Sequence, residues 1–415
     1  MTLSMIIHAL KWLLYALTGA GIFLIVSACT PLGLNYASLA VDNKPEPGPA
    51  LLLPLDPAQI RDTLSKELYG LWAEGLSVSA GSRRILDAAY LDGRGTLQAF
   101  DITLGEGPGA LTFPVILAVP HTASERPVPL IISQTFADNC SVFPNDPVPD
   151  GYGGRCNGPR MSGLTGFIAT GIFGSYIAYA PIERYLDAGL AYASLSGPSV
   201  IPDNRHAARM RLKALDSALA DTGTLIVWAK AFAAIASVLQ DDPHIQPDAI
   251  AAFGHSRYGK SALIAAAYSD DIDAAIAHQS GFAGSASSRS RTGETLARMA
   301  SSYPHWLRDG LAQDLNQGFE LSYDQHFLLA LIAPKPILLG NGRRDVWSDP
   351  NSTYRIARAA EPAYQAGGSD GLAGAGMRDF MPGSDIAYWL RVGGHSLVSE
   401  DIDAFIAFMR AHFID

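Results

Sequence analysis

The sequence predicts an α/β fold in which helices cover both faces of a mostly parallel central sheet, giving a three-layer sandwich. Short apolar runs typical of buried strands alternate with longer runs typical of helices, and repeated strand–helix units pack as parallel sheets. The chain has 415 residues, 48% of them hydrophobic, which is enough for a large packed core. Neither an internal repeat nor a second domain is evident, so residues 56–415 are predicted to form one catalytic domain.

The N-terminus has the pattern of an export signal. Lys11 precedes an almost wholly apolar run, residues 12–28, which ends in Val-Ser-Ala before Cys29. This ending resembles the bacterial lipobox, in which the cysteine is lipidated after cleavage. Residues 1–28 are therefore predicted to be a lipoprotein signal and residues 29–55 a tether, with the protein in the periplasm or at the outer membrane and anchored to the membrane through lipid on Cys29. An uncleaved signal anchor and an ordinary cleaved signal are the alternatives.

The folded part is predicted to begin with a helix. Asp56 is a suitable N-cap, and Pro57 suits the first helical position. One face of this helix carries the apolar residues Ile60, Leu64, Leu68 and Leu71. Strand-like runs at 84–91, 96–103 and 111–119 then predict an antiparallel lead-in to the sheet. The remaining predicted strands are 128–133, 190–195, 248–251, 274–278, 336–339 and 387–392, and the remaining helices are 181–188, 222–239, 262–268, 295–299, 352–359 and 402–412.

A long loop rich in Gly, Pro and Asn runs from Gln134 to about Gly163. Loops of this length within compact domains are commonly functional. It contains Cys140 and Cys156, the two cysteines that remain once Cys29 is assigned to lipid. In an oxidising, exported compartment such a pair predicts a disulfide, and two independent buried thiols are the alternative.

The chemistry is indicated by one turn, Gly254-His255-Ser256-Arg257-Tyr258-Gly259-Lys260, which joins an apolar run to an alanine-rich helix. A serine at a strand-to-helix turn is where α/β-hydrolases hold their nucleophile, and the helix N-terminus favours negative charge beside it. We therefore expect the α/β-hydrolase fold. The second glycine comes one residue later than in the Gly-x-Ser-x-Gly pattern, so a tight turn that happens to carry a serine is the alternative.

A nucleophilic serine needs a base, and the base needs an acid that orients it. In α/β-hydrolases these follow the serine in the order acid, then histidine, each after a strand. Asp345 and His395 follow the predicted strands 336–339 and 387–392, so Ser256, His395 and Asp345 are the predicted triad. Asp349 competes as the acid, in which case Asp345 is a turn or helix cap. Of the other histidines, His326 is interpreted as structural, and His255 is expected to pack under the turn.

Acyl transfer also needs hydrogen-bond donors for the developing oxyanion. The amide of Arg257 is one candidate, and the second is expected near Phe136, in the loop after the strand 128–133. This chemistry requires no metal or organic cofactor, and no Cys/His set has the spacing of a zinc site. The net charge of −10, without a basic stripe, argues against a nucleic-acid partner.

The serine turn resembles the Gly-Cys-Ser-Arg-Asn-Gly-Lys signature of the glucuronoyl esterases, carbohydrate esterase family fifteen. The resemblance runs from about residue 110 to the C-terminus and includes His278-Gln279-Ser280-Gly281, Gly293-Glu294-Thr295 and Asp345-Val346-Trp347-Ser348-Asp349-Pro350. It implies a serine esterase that cleaves esters of a glucuronic acid carboxyl group, as in linkages between lignin alcohols and glucuronoxylan. It also implies that Lys260, Trp347 and Glu294 bind the carbohydrate ester, whereas an isolated Lys260 would be interpreted as a solvated lysine.

The chain departs from this family pattern at three positions. His255 stands where cysteine is common, and Tyr258 where asparagine is common. Many members carry the acid as a glutamate at the position of Gln279; glutamine cannot compensate an imidazolium, so the resemblance favours Asp345, the acid position of other bacterial members. The competing hypotheses are an acetylxylan esterase or general carboxylesterase, and a catalytically silent glycan-binding lipoprotein. A monomer is expected.

Overall fold

A computed structural model describes residues 8, 10–19, 21, 47–143, 148, 170–171, 173–177 and 179–415. A ten-stranded sheet forms the centre of the domain, with strand order β1-β3-β4-β6-β5-β7-β8-β9-β10 and β2 paired to β3. The strands are β1 (Val78–Ala80), β2 (Arg84–Ala89), β3 (Gly95–Leu104), β4 (Leu111–Pro120), β5 (Val128–Thr135), β6 (Ala191–Ser196), β7 (Ile245–His255), β8 (Ala274–His278), β9 (Ile337–Gly342) and β10 (Ile386–Arg391).

The strand directions confirm the predicted arrangement. Strands β1 to β4 pair antiparallel, and β4 pairs antiparallel with β6. From β6 through β5, β7, β8 and β9 to β10, every neighbouring pair is parallel. Because parallel strands end at the same edge of a sheet, the loops after β7, β8, β9 and β10 are brought together there.

Helices cover both faces of the sheet, because alternate strand residues point to opposite sides. Leu130 and Ile132 belong to one buried cluster, which includes Trp228, whereas Ile131 belongs to a second cluster with Phe405. The predicted three layers are thus confirmed. The helices are α1 (Pro57–Leu64), α2 (Asn139–Val142), α3 (Ile182–Asp187), α4 (Gly197–Val200), α5 (Arg205–Leu215), α6 (Thr224–Leu239), α7 (Arg257–Tyr268), α8 (Leu296–Ser302), α9 (Leu311–Asn316), α10 (His326–Ile332), α11 (Pro350–Ala366) and α12 (Ser399–Phe413).

The first predicted helix is confirmed at its start and wrong at its end. Asp56 caps α1 by accepting a hydrogen bond from the amide of Gln59 at 3.0 Å, and Pro57 is the first helical residue. After α1 the chain makes a π-helical turn that ends at Gly70, which has φ 87°. A side chain at Gly70 would lie 2.5 Å from the Cα of Thr222, so the chain leaves the helix there, and Leu71 is 54% exposed rather than on the buried face.

Several N-terminal predictions fall on residues that the structure does not describe, among them lipidation of Cys29. Residues 10–19 are helical and exposed, and within the described ranges no helix is long and apolar enough to span a membrane. The end of the predicted tether contacts the domain: Nε2 of His326 lies 2.8 Å from the Pro49 carbonyl oxygen. His326 itself is buried, as expected for a structural histidine.

The predicted disulfide spans described and undescribed residues. Cys140 lies in the short helix α2 and is 8% exposed. Cys156 lies outside the described residues, so the pairing of Cys140 with Cys156 stays a prediction.

Candidate active site

Ser256 lies in the sharp turn between β7 and α7, as the sequence predicts. Its backbone has φ 56° and ψ −121°, a conformation that is unfavourable for a residue with a side chain and is characteristic of a nucleophile elbow. The amide of Ser256 donates to the carbonyl oxygen of His278 at 2.8 Å, which ties the turn to the end of β8. The helix N-terminus begins at the next residue, so its amides lie beside the serine.

The late second glycine of the turn has a steric explanation. A side chain at Gly254 would lie 2.1 Å from the carbonyl carbon of Tyr258, and one at Gly259 would lie 2.9 Å from the Gly254 carbonyl oxygen. These two glycines let the strand and the helix touch, which is the purpose of the glycines in the usual pattern. Tyr258 is accommodated because it packs against another glycine, Gly197, where a Cβ would lie 2.3 Å from the tyrosine hydroxyl.

His395 and Asp345 form a buried pair on the loops after β10 and β9. Nδ1 of His395 lies 2.7 Å from Oδ2 of Asp345, and the amides of Trp347 and Ser348 donate to Oδ1 at 3.1 and 3.2 Å. Burial acts to raise the pKa of Asp345, but His395 and Ser348 outweigh it, so the pKa lies below its ordinary value. Asp345 is therefore ionised and accepts the Nδ1 proton, which leaves Nε2 of His395 as the basic nitrogen.

Asp349, the competing acid, has other partners. It is the N-cap of α11, where Oδ1 accepts from the amide of Ser352 at 3.1 Å and Oδ2 accepts from the hydroxyl of Ser290 at 2.5 Å. Burial raises the pKa of Asp349. The structure thus brings Asp345, and not Asp349, to His395.

Gln279 stabilises the loop that carries His395. Its Nε2 donates to the carbonyl oxygen of Gly394 at 2.9 Å. The carbonyl oxygen of Gln279 accepts from the hydroxyl of Ser348, which also lies 3.3 Å from Nδ1 of His395. A glutamate here could not donate the first of these bonds, so the glutamine suits a positioning role rather than an acidic one.

A chain of buried polar side chains extends from His395 into the protein, and its members are His255, His278, Asp401 and Arg391. The rings of His255 and His395 have centroids 4.6 Å apart, and Nδ1 of His255 lies 2.9 Å from Nδ1 of His278. Nε2 of His278 lies 3.3 Å from Asp401, whose two oxygens accept from Nε of Arg391 at 2.8 Å. Burial lowers the pKa of both His255 and His278. Burial therefore favours the neutral form of both rings.

Ser256 and His395 line a cavity of about 560 Å³, a volume typical of small-molecule sites. The predicted oxyanion and substrate-binding residues line it too: Phe136, Arg257, Lys260, Glu294 and Trp347. Asp345 lies behind His395 and does not reach the cavity. Lining residues that the sequence did not indicate include Phe173, Ile177, Arg298, Ser302 and Tyr303.

Lys260 is not a solvated surface lysine. It is 4% exposed, and its ammonium group donates to the carbonyl oxygen of Ser280. Burial lowers the pKa of Lys260 to about 8, although Glu294 acts to raise it. Trp347, by contrast, is 46% exposed, with its ring 5.7 Å from that of His395. Lys260 and Trp347 thus offer a cation and an aromatic face to the same cavity.

The candidate oxyanion donors lie beside the same cavity. Phe136 follows β5 and Arg257 follows the serine, and the amides of both donate no backbone hydrogen bond to another described residue. The guanidinium of Arg257 pairs with Asp203 and lies over the ring of Trp306, with its Cζ 4.6 Å from the ring centroid. Asp203 and Asp401 were missed in the sequence, where nothing in their local pattern marks them, and His278 was cited only within a stretch of family resemblance, without a role of its own.

The fold and this constellation define an α/β-hydrolase with a serine elbow and a His–Asp pair. A family model described as glucuronyl esterase of fungi matches residues 167–368. A carbohydrate esterase from an unknown prokaryotic organism is 34% identical over 192 residues, which cover 46% of this chain and 44% of that protein. The chain is thus similar to glucuronoyl and carbohydrate esterases over the matched residues.

Two further proteins extend the comparison. The 4-O-methyl-glucuronoyl methylesterase of Phanerochaete carnosa is 25% identical over 255 residues, 58% of this chain and 63% of that protein. The matches thus span about half the length of these curated relatives. The solved structure of a promiscuous esterase of family fifteen from a marine bacterial metagenome superposes with a TM-score of 0.75 at 24% identity, covering 90% of this chain and 98% of that one, which establishes the shared fold.

Proposed function

We propose that this protein is a serine esterase that hydrolyses esters of glucuronic acid, including 4-O-methylglucuronoyl esters that link lignin alcohols to glucuronoxylan. The observation that carries the proposal is the cavity lined by Ser256 at the elbow, by His395 with Asp345 hydrogen-bonded behind it, and by the buried Lys260. The first two supply acyl-transfer chemistry. Lys260 supplies a charged hydrogen-bond donor for a polar substrate.

The reaction begins with transfer of the Ser256 hydroxyl proton to Nε2 of His395 as the serine oxygen attacks the ester carbonyl carbon. The resulting oxyanion accepts hydrogen bonds from the amides of Arg257 and Phe136, and the Arg257 guanidinium adds positive charge nearby. The carbon–oxygen bond to the alcohol then breaks, and the alcohol leaves with the proton from His395.

The acyl-enzyme is hydrolysed through the same groups. Water gives a proton to His395 as its oxygen attacks the acyl carbon, and the second oxyanion forms in the same position. Collapse of this intermediate returns the proton to Ser256 and releases the glucuronic acid. Throughout, Asp345 stabilises the imidazolium through Nδ1 and keeps the ring oriented.

Substrate recognition is assigned to the polar side of the cavity. Lys260 donates to sugar hydroxyls, Glu294 accepts from them, and Trp347 offers its exposed ring to the sugar face. The support for this assignment is the burial of Lys260 beside Ser256. A lysine without a ligand to bind would be expected in solvent, because burial of its charge is unfavourable.

The proposed substrate is tested by measuring turnover of benzyl glucuronate and of an acetylated xylan fragment by the purified 415-residue chain. We expect kcat/KM to be higher for the glucuronate ester. Cleavage of the acetyl ester alone would favour an acetylxylan esterase, and turnover of neither ester would favour a glycan-binding protein. Either result would contradict the proposal.

We also propose that the protein is exported as a monomer and anchored in the periplasm or at the outer membrane through lipid on Cys29, with Cys140 and Cys156 joined by a disulfide. The Val-Ser-Ala-Cys ending of the apolar N-terminal run supports the anchor. Mass spectrometry of protein expressed in a bacterial host should find a lipid-modified N-terminal cysteine, and Cys29→Ala should abolish the modification. An unmodified, uncleaved N-terminus in the wild type would contradict the anchor.

A further inference from the structure

Asp203 connects three side chains beside the cavity. One of its oxygens, Oδ2, pairs with Nη1 of Arg257, and the other, Oδ1, lies 2.8 Å from Nε2 of His305 and accepts from Nε1 of Trp306 at 2.7 Å. The Asp203 side chain is only 19% exposed, although the next residue, Asn204, is exposed. All three neighbours present nitrogen to this carboxylate, so its charge is well compensated.

His305 takes part as a neutral donor. Burial lowers its pKa to about 4, helped by the positive charges of Arg209 and Arg257. A carboxylate oxygen only accepts, so Nε2 of His305 carries the proton. Oδ1 of Asp203 is thereby occupied by two neutral donors, and Oδ2 is left for Arg257.

Aromatic rings confine the same guanidinium. The Cζ of Arg257 lies 4.6, 5.4 and 5.6 Å from the ring centroids of Trp306, Phe136 and Tyr303. Tyr303 and Trp306 are themselves stacked, with centroids 3.9 Å apart and planes 4° apart. Rings limit where the guanidinium plane can lie but do not fix its rotation within that plane. A hydrogen bond to one nitrogen of the guanidinium fixes this rotation.

We propose that Asp203 is a positioning residue for Arg257, holding one nitrogen of the guanidinium so that its other N–H groups face the ester in the transition state. The inference rests on the proposed function, in which Arg257 stabilises the oxyanion. Across the described part of the chain, Asp203 is the hydrogen-bond acceptor of the Arg257 side chain, whose Nε has no partner there. Preorganisation of this kind matters because donors aimed in advance at the oxyanion need no reorganisation during the reaction.

Asp203→Asn separates this role from packing. The amide oxygen can occupy the Oδ1 position and keep accepting from His305 and Trp306, whereas the amide nitrogen then faces Arg257 and cannot accept its hydrogen bond. We expect kcat to fall roughly 10- to 100-fold with KM within about threefold, because the contact with the oxyanion exists only in the transition state.

A double-mutant cycle tests whether Asp203 acts through Arg257. In an Arg257→Gln background, which keeps the backbone amide, Asp203→Asn should change kcat by less than about twofold. Losses that multiply in the double variant would overturn the proposal, because they would mean that Asp203 acts by another route. Asp314→Asn is the matched control. Asp314 lies away from the cavity and accepts a hydrogen bond of 2.6 Å from the half-buried Arg308. Loss of this ion pair should leave kcat within about twofold.

The cycle is measured with benzyl glucuronate and with 4-nitrophenyl acetate, since any ester needs the oxyanion donors. Turnover of the acetate alone by the wild type would contradict the proposed substrate, yet the cycle on that ester would still decide the role of Asp203. An Asp203→Asn variant with wild-type kcat on the ester that is turned over would overturn the positioning role. No turnover of either ester would contradict both proposals.

Discussion

Nδ1 of His395 lies 2.7 Å from Oδ2 of Asp345. This contact indicates which carboxylate near the cavity orients the histidine. Asp349 is only four residues further along the chain, yet it caps a helix. Gln279, the other position at which the family resemblance could place an acid, donates to the loop carbonyl of Gly394. The acid position is therefore decided by which strand-end loop reaches the histidine.

Asp345→Asn is expected to lower kcat for benzyl glucuronate by roughly 10³- to 10⁴-fold, because the amide no longer stabilises the imidazolium and favours the wrong tautomer of His395. Gln279→Ala is expected to lower kcat far less, since it removes one hydrogen bond to the loop. Steady-state kinetics of the two variants, with Asp349→Asn as the control, check this. A larger loss for Gln279→Ala than for Asp345→Asn would show that the acid is wrongly assigned.

The KM for a glucuronate ester is expected to rise as the pH increases through about 8, where buried Lys260 loses its proton. A charged donor forms stronger hydrogen bonds to sugar hydroxyls than a neutral amine does. Lys260→Met, which keeps the aliphatic stem, should raise KM about tenfold at pH 7 and remove this pH dependence. KM profiles of both proteins from pH 6 to 10 make the comparison. An unchanged profile in the variant would assign the pH dependence to another group.

Gly197→Ala is expected to destabilise the fold by about 2 kcal/mol, because the new methyl would lie 2.3 Å from the hydroxyl of Tyr258 beneath the serine turn. In a Tyr258→Asn background the cost should largely disappear, since asparagine is smaller. Urea unfolding of the variants measures the difference. Gly383→Ala is the control, because its methyl would meet only the Cβ of Ala411 at 3.8 Å. Equal costs in both backgrounds would rule out Tyr258 as the cause.

The buried carboxylate of Asp401 should make the fold sensitive to acid. Burial acts to raise its pKa, but His278 and Arg391 outweigh it and lower the pKa from 3.8 to about 2. Its contribution, about 2 kcal/mol, is present above the unfolded-state value near 3.8 and is lost as the pH falls towards 2. The free energy of unfolding should thus decrease more between pH 4 and pH 2 in the wild type than in Asp401→Asn. The same slope in both would exclude Asp401 as its source.

The strands, and the placement of Ser256, Asp345 and His395 at strand ends, could be predicted from sequence because their signals are local. An apolar run followed by glycine and then Asp345 or His395 places each residue at the end of a strand, and the parallel topology brings those ends together. Helix α5 was missed because it buries only Ala208 and Leu212, which gives too weak an apolar period. Helix α10 was missed because a run of seven mostly apolar residues does not distinguish a helix from a strand.

The missed site residues have a different cause. Asp203 meets Arg257 and Trp306, which are 54 and 103 positions away, and Asp401 reaches His278 from the last helix. An aspartate in a Pro-Asp-Asn turn has the local pattern of an ordinary turn residue. Such roles depend on contacts between distant segments, which the pattern around a single residue does not encode.

We propose that Ser256, activated by His395 and Asp345, is the nucleophile of glucuronate ester hydrolysis. The most direct measurement is kcat/KM for benzyl glucuronate with the wild type and with Ser256→Ala, each confirmed as folded by its thermal unfolding curve. We predict turnover by the wild type and a loss of at least about 10⁴-fold in the variant. A folded Ser256→Ala protein that retains the wild-type rate would contradict the role of Ser256 as the nucleophile.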